Sequence, residues 1–136
     1  MTTLLLRNAD ILVTMDAARR EIPGGGVFVR DNLIVQVGPS GDLPATADTV
    51  IEASGLVVLP GLVNTHHHLY QTLTRAVPAA QDVELFDWLR VLYEIWGELT
   101  DEAAYASARV GLAELLLSGC TTSTDHLYLY PRDTTL

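Results

Sequence analysis

An α/β protein in two parts is what this sequence predicts: a small β lobe over residues 1–58, then the opening strand and helices of a parallel β/α array over residues 59–136. Three observations lead there. Short β-prone runs punctuated by turn residues fill the first part. A nearly unbroken apolar run, Leu56-Val57-Val58-Leu59-Pro60-Gly61-Leu62-Val63, opens the second, as expected of a strand buried on both faces. Two helical patterns then lead to another β-prone run from Cys120, and strand–helix–strand order implies parallel strands.

The elements follow in order. Leu4-Leu5-Leu6 and Ile11-Leu12-Val13-Thr14-Met15 are β-prone runs on either side of Arg7-Asn8-Ala9-Asp10. Pro23-Gly24-Gly25-Gly26 reads as a breaker. Val27-Phe28-Val29-Arg30 and Leu33-Ile34-Val35-Gln36-Val37-Gly38 flank Asp31-Asn32, which reads as a hairpin. Pro39-Ser40-Gly41-Asp42 is a loop, and Thr49-Val50-Ile51-Glu52-Ala53 is a short strand closed by Ser54-Gly55. Such a series suggests a small β-sandwich or barrel lobe.

Leu85, Trp88, Leu89, Leu92, Trp96 and Leu99 then recur at helical spacing. Thr100 is a good N-cap, with Asp101 and Glu102 in the following turn. That second helix should stop at Gly119. Polar and ionisable residues gather just after each strand of the second part, where β/α barrels carry their sites. A whole TIM-type barrel takes about 250 residues. The expectation is therefore an incomplete (β/α)8 barrel with its first two strands, the chain being the N-terminal segment of a longer parent.

Composition narrows the function. The 136 residues carry a formal net charge of −9, and all eight basic residues are arginine. An acidic chain argues against a nucleic-acid phosphate surface, which needs a basic patch. Without lysine, no Schiff-base or lysine-derived metal bridge comes from this segment. The hydrophobic share is 49% and mean hydropathy is +0.24, yet no run approaches the roughly 18 apolar residues that span a bilayer. Arg7, Asn8 and Asp10 interrupt the N-terminal apolar stretch, so no signal peptide is expected. Cys120 is the single cysteine, which rules out an internal disulfide and makes a reducing, cytoplasmic setting the default.

The chemistry gathers at Asn64-Thr65-His66-His67-His68. Alternate side chains of a strand share a face, so His66 and His68 should point one way and His67 the other. Two imidazoles at a strand end make half of a metal site, suited to zinc and also to iron or nickel. His67 is expected to pack or to support the ligands. Three histidines inside a patterned strand do not resemble a terminal tag. A cupin-type HxH would need a nearby glutamate, and the next acidic residue is Asp82.

Pro60-Gly61-Leu62-Val63-Asn64-Thr65-His66-His67-His68 strongly resembles the strand-1 signature of the amidohydrolase superfamily. The preceding β lobe and the following β/α unit agree with that resemblance. The stretch His68-Leu69-Tyr70-Gln71-Thr72-Leu73-Thr74-Arg75-Ala76 looks like the aminohydrolase branch acting on purines, pyrimidines and triazines. Leu85-Phe86-Asp87-Trp88-Leu89 and Leu115-Leu116-Leu117-Ser118-Gly119-Cys120-Thr121-Thr122 look most like 8-oxoguanine deaminases. The resemblance implies one divalent metal, zinc first and Fe2+ second, with His66 and His68 as ligands. The remaining ligands and the proton-transfer residues belong to later strands, so no catalytic residue is expected here. By the same analogy Gln71 would hydrogen-bond a purine edge, for which an amide offers both donor and acceptor.

The reaction implied is hydrolytic deamination of a guanine-like or 8-oxoguanine-like base. Triazine dechlorination, deamination of a nucleoside-type substrate, and an inactive metal-binding remnant are the alternatives. The 136 residues alone are expected to be inactive and to bind metal weakly. The expected partner is a small heterocycle, with no nucleic acid and no membrane, and the full-length parent is expected to be a homo-oligomer.

His126 ends the second strand beside Asp125, and substrate binding and a plain loop hydrogen bond are equally open to it. Asp125 could cap a neighbouring backbone. Trp88 and Trp96 read as helix core, and Cys120 as a buried structural thiol. Arg75 could serve a loop, a substrate anion or an ion pair. Glu114 has no role legible in the sequence.

Overall fold

The first β-prone runs join into one strand. In the computed structural model, which describes residues 1–131, β1 (Thr3–Val13) passes through Arg7-Asn8-Ala9-Asp10 without stopping. An irregularity between Leu6 and Ala9 absorbs the mismatch, with Asn8 at φ 59°. Asparagine tolerates that left-handed conformation, and a bulge re-aims the strand. β1 pairs antiparallel with β2 (Glu21–Arg30), which pairs antiparallel with β3 (Leu33–Pro39). The expected hairpin over 27–38 is present, with Asp31 at φ 53° in its turn.

β4 (Thr49–Glu52) and β5 (Val57–Val58) both run parallel to β1, giving a five-stranded mixed sheet ordered β3-β2-β1-β4 with β5 also on β1. Leu5, Ala9, Leu12 and Ala53 are its most buried apolar residues.

Pro23-Gly24-Gly25-Gly26 does not break the chain, because β2 runs straight through it. The glycines serve close approach instead. A Cβ at Gly25 would lie 2.7 Å from Leu12 Cβ, and one at Gly26 would lie 2.7 Å from Leu43 Cδ1.

The run over 56–63 is also divided. β5 belongs to the lobe sheet, and β6 (Leu62–Asn64) pairs parallel with β7 (Cys120–Ser123). Pro60 lies between them and has no N–H for a ladder. Nor is the run buried on both faces: Leu62 is 57% and Val63 is 65% exposed. β6 has one neighbouring strand among the described residues. The compact units follow this division, one covering Met1–Pro60 and the other beginning at Gly61.

Within the second unit, α1 (Leu85–Trp96) and α2 (Asp101–Leu117) connect the parallel strands, as expected of a mixed α/β unit. Thr100 Oγ1 accepts from Ala103 N–H at 3.2 Å, and Gly119 ends the turn at φ 81°. The core here is Trp96, Leu92, Tyr70 and Ala80. Trp96 Nε1 donates to Thr74 Oγ1 at 3.0 Å, so its one polar atom is satisfied.

A short 3-10 helix, Leu69–Thr74, follows the histidines. α2 holds it through Ser107, fully buried, whose Oγ donates to the Leu69 carbonyl at 2.7 Å and accepts from Leu73 N–H at 3.2 Å. Gly111 admits the close contact: a Cβ there would lie 2.8 Å from Leu69 Cδ2 and 2.9 Å from Thr72 Oγ1. Among the described residues no helix is long and apolar enough to cross a membrane.

Candidate metal and substrate site

Parallel pairing brings the two strand ends to the same edge. Beyond β6 and β7 the two segments stay hydrogen-bonded but slip by one residue, Thr124 N–H donating to the Asn64 carbonyl at 2.9 Å and His126 N–H to the His67 carbonyl at 2.8 Å. That pairing sets His126 beside the histidine run from 58 residues away in sequence. Asn64 Oδ1 accepts from His66 N–H at 3.0 Å and shapes the exit from β6. Asp125 Oδ1 accepts from Leu69 N–H at 2.9 Å, so Asp125 does cap a neighbouring backbone.

His66 and His68 converge, with Nε2 atoms 3.2 Å apart and rings edge to face at 5.1 Å. Two ligand atoms on one tetrahedral zinc, each at about 2.0–2.1 Å from it, lie roughly 3.3 Å apart. The spacing therefore suits a shared ion. His68 Nδ1 lies 2.8 Å from the His126 carbonyl oxygen. An Nδ1–H donated there leaves the Nε2 lone pair for a metal, the outer bond that commonly orients a ligating histidine.

His126 joins this pair. Its ring lies 5.2 Å from that of His66 and 5.4 Å from that of His68, and ligand atoms of all three lie within 4.8 Å of one another. The trio is looser than the His66–His68 pair. His67 faces α2, its Cε1 lying 3.5 Å from where a Gly111 Cβ would be. His67 Nδ1 is buried and has no hydrogen-bond partner among the described residues.

Gln71 lies on the same rim. A recess of about 220 Å³ is lined by His66, His67, His68, Gln71, Thr72 and Arg75. Gln71 Nε2 donates to the Tyr70 hydroxyl at 2.9 Å and the Tyr128 hydroxyl at 3.2 Å. The Tyr128 ring stands edge-on to His68 at 5.4 Å and to Tyr70 at 5.8 Å. Burial raises the Tyr70 phenol well above its ordinary range, and the hydrogen bond with Tyr128 adds to this while that from Gln71 opposes it. The hydroxyl is thus neutral throughout the physiological range.

Neither tyrosine was singled out from sequence for this place. The alternation His126, Tyr128, Tyr130 was the available signal, and it was weak outside a strand.

The other residues weighed from sequence find places as well. Arg75 Nη2 pairs with Glu114 Oε2 at 2.7 Å, which ties the 3-10 helix to α2 and gives Glu114 a partner. Trp96 is fully buried, and Trp88 packs partly buried against the same core. Cys120 is buried, with Sγ donating to the Thr122 carbonyl at 3.2 Å.

Residues 57–134 match the family model described as the amidohydrolase family. Over 135 residues the chain is 53% identical to 8-oxoguanine deaminase of Pseudomonas aeruginosa, covering 96% of this chain and 29% of that protein. It is 36% identical over 144 residues to hydroxydechloroatrazine ethylaminohydrolase of Pseudomonas sp. strain ADP, covering 97% of this chain and 30% of the relative. The solved structure of atrazine chlorohydrolase from Arthrobacter aurescens TC1 complexed with zinc superposes with a TM-score of 0.86. Identity there is 30%, over 94% of this chain and 29% of that one. The chain thus spans about 30% of the length of the relatives it matches.

Proposed function

This chain belongs to the amidohydrolase family, and from that membership we propose that it forms the opening part of a metal-dependent hydrolytic deaminase for a purine-type base. In this reading the β lobe precedes the first two strands of a (β/α)8 barrel. The observation that carries the proposal is the convergence of His66 and His68, 3.2 Å apart at Nε2, beside an ordered Gln71 amide. The 53% identity to an 8-oxoguanine deaminase supports a guanine-like or 8-oxoguanine-like substrate.

His66 and His68 would hold one divalent ion, and an all-imidazole pair suits zinc first and iron(II) second. When bound, such an ion supplies the Lewis acidity that makes water nucleophilic at neutral pH. The rest is work for the chain's own side chains. His68 is oriented by the His126 carbonyl. Gln71 binds the edge of the base. The His126 ring, 5.2 Å from that of His66 and 5.4 Å from that of His68, would face the substrate beside them. Arg75, committed to Glu114, steadies the helix that carries Gln71. Two imidazoles fall short of the three protein ligands usual in catalytic zinc sites. The 136 residues alone are accordingly proposed to be inactive and to bind metal weakly.

A second reading, triazine chemistry, is favoured by the 36% identity to the ethylaminohydrolase. The test is ammonia release by the zinc-loaded full-length enzyme from 8-oxoguanine and guanine, against alkylamine release from a hydroxylated triazine. Purine turnover with stoichiometric metal is the expected result. Turnover of the triazine alone would transfer the conclusion to the second reading.

A further inference from the structure

The Gln71 amide has two N–H groups, and both are engaged. One meets the hydroxyl of Tyr70, which is buried, and the other that of Tyr128, which is half-exposed. No side-chain hydrogen bond to Gln71 Oε1 occurs among the described residues, while Gln71 lines the recess beside the histidines. Tyr128 is itself held in place, its ring edge-on to both His68 and Tyr70. An amide otherwise offers a donor and an acceptor with equal ease. Here it is the amide nitrogen that faces both hydroxyls, which leaves the carbonyl oxygen turned from them.

We propose that Tyr128 is a positioning residue that, with Tyr70, turns the Gln71 carbonyl oxygen toward the substrate, so that this rim selects a heterocycle presenting an N–H donor. The inference rests on the purine reading above and sharpens it. A guanine-type ring carries such a donor on the nitrogen next to its amino-bearing carbon. A ring methylated at that nitrogen does not.

The consequence for affinity follows from the asymmetry of hydrogen bonding. A buried acceptor left without its donor costs more than the bond itself contributes. The donor-bearing base should therefore outbind its N-methylated form by roughly tenfold or more in the wild type. In Tyr128→Phe one restraint on the amide is lost and the group can rotate. The preference should shrink to about a third or less of its wild-type value. Zinc content and melting temperature should hold, because Tyr128 is 46% exposed and keeps its ring.

The experiment is steady-state kinetics of the zinc-loaded full-length enzyme with guanine and with 1-methylguanine, for wild type and Tyr128→Phe, the preference being read as the ratio of kcat/KM and of the inhibition constant where a base is bound but not turned over. A preference unchanged by the variant would overturn the positioning role. A wild type that binds both bases equally would overturn the acceptor role. A second readout needs no base. With glutamine labelled at the side-chain nitrogen, Gln71 should show two hydrogen-bonded amide protons, one of which shifts in Tyr128→Phe. If that shift occurs while neither base binds, the purine reading fails and the positioning role stands. If it does not occur, the positioning role fails whatever binds.

Discussion

Replacing Gln71 with alanine should separate the proposed base recognition from metal binding. The variant removes an amide that donates at 2.9 Å to Tyr70 and at 3.2 Å to Tyr128. The stability cost is small. Tyr128 is 46% exposed, and water replaces its lost partner, while Tyr70 at 3% exposure keeps its hydrogen bond with Tyr128. One net hydrogen bond is worth about 1 kcal/mol. The catalytic cost is larger. The substrate group that met the amide is left without its partner, about 1–3 kcal/mol, or a roughly 5- to 150-fold fall in kcat/KM. Metal content should not change, since the neutral amide is no competitor of imidazole for zinc. Steady-state kinetics on guanine-type bases, with metal analysis on the same samples, reads both effects. Unchanged catalytic efficiency on every purine would refute the base-binding role. Loss of zinc in the variant would refute the division of labour.

Three further outcomes are expected. His66→Ala should abolish bound metal and activity together, measured by elemental analysis and turnover, because it removes one of the two convergent imidazoles. Gly111→Val should overpack the contact of α2 with Leu69 and Thr72, costing about 1–3 kcal/mol in denaturant unfolding. It should also lower metal occupancy, because α2 backs the segment that follows His68. Acid should weaken the β lobe through Asp48, whose carboxylate accepts from the Thr3 N–H at 2.7 Å and the Thr3 hydroxyl at 2.9 Å. Those bonds hold its pKa below the ordinary 3.8. Its contribution is complete above that value and is lost as pH falls through the lower folded value. Asp48→Asn should remove this part of the acid sensitivity in a pH series of melting temperatures.

The elements legible in the sequence are those whose signal is local. The hairpin over 27–38 needs only alternation and a turn pair, α1 only a period, and α2 only a cap and a glycine stop. The misread stretches have local and tertiary signals in conflict. Pro23-Gly24-Gly25-Gly26 has breaker composition, yet Leu12 and Leu43 press so close that glycine is what lets a strand pass there. Residues 56–63 look like one strand by hydropathy. Which sheet each half joins is decided by pairing partners far away in sequence, β1 for Val57 and β7 for Leu62.

The same distinction runs through the site. The pairing of His66 with His68 is legible from a period of two, although β6 itself ends at Asn64 and the histidines lie just beyond it rather than inside the strand. Gln71 was reached through a family resemblance, since three residues of spacing do not reveal which way an amide faces. The sequence leaves His126 open to two roles because its neighbours come from a parallel pairing that no local pattern encodes. Once His126 N–H meets the His67 carbonyl, the His126 carbonyl falls within 2.8 Å of His68 Nδ1. A single backbone segment thereby orients a proposed ligand and delivers a ring to the same rim. Two residues on, it delivers the Tyr128 hydroxyl that meets Gln71. The segment after the second strand thus orders both halves of the proposed site, His68 as the proposed metal ligand and Gln71 as the proposed base-binding group. Lengthening it by one residue between Asp125 and His126 should impair metal occupancy and base affinity together, whereas point changes at Gln71 or Tyr128 should impair base affinity alone.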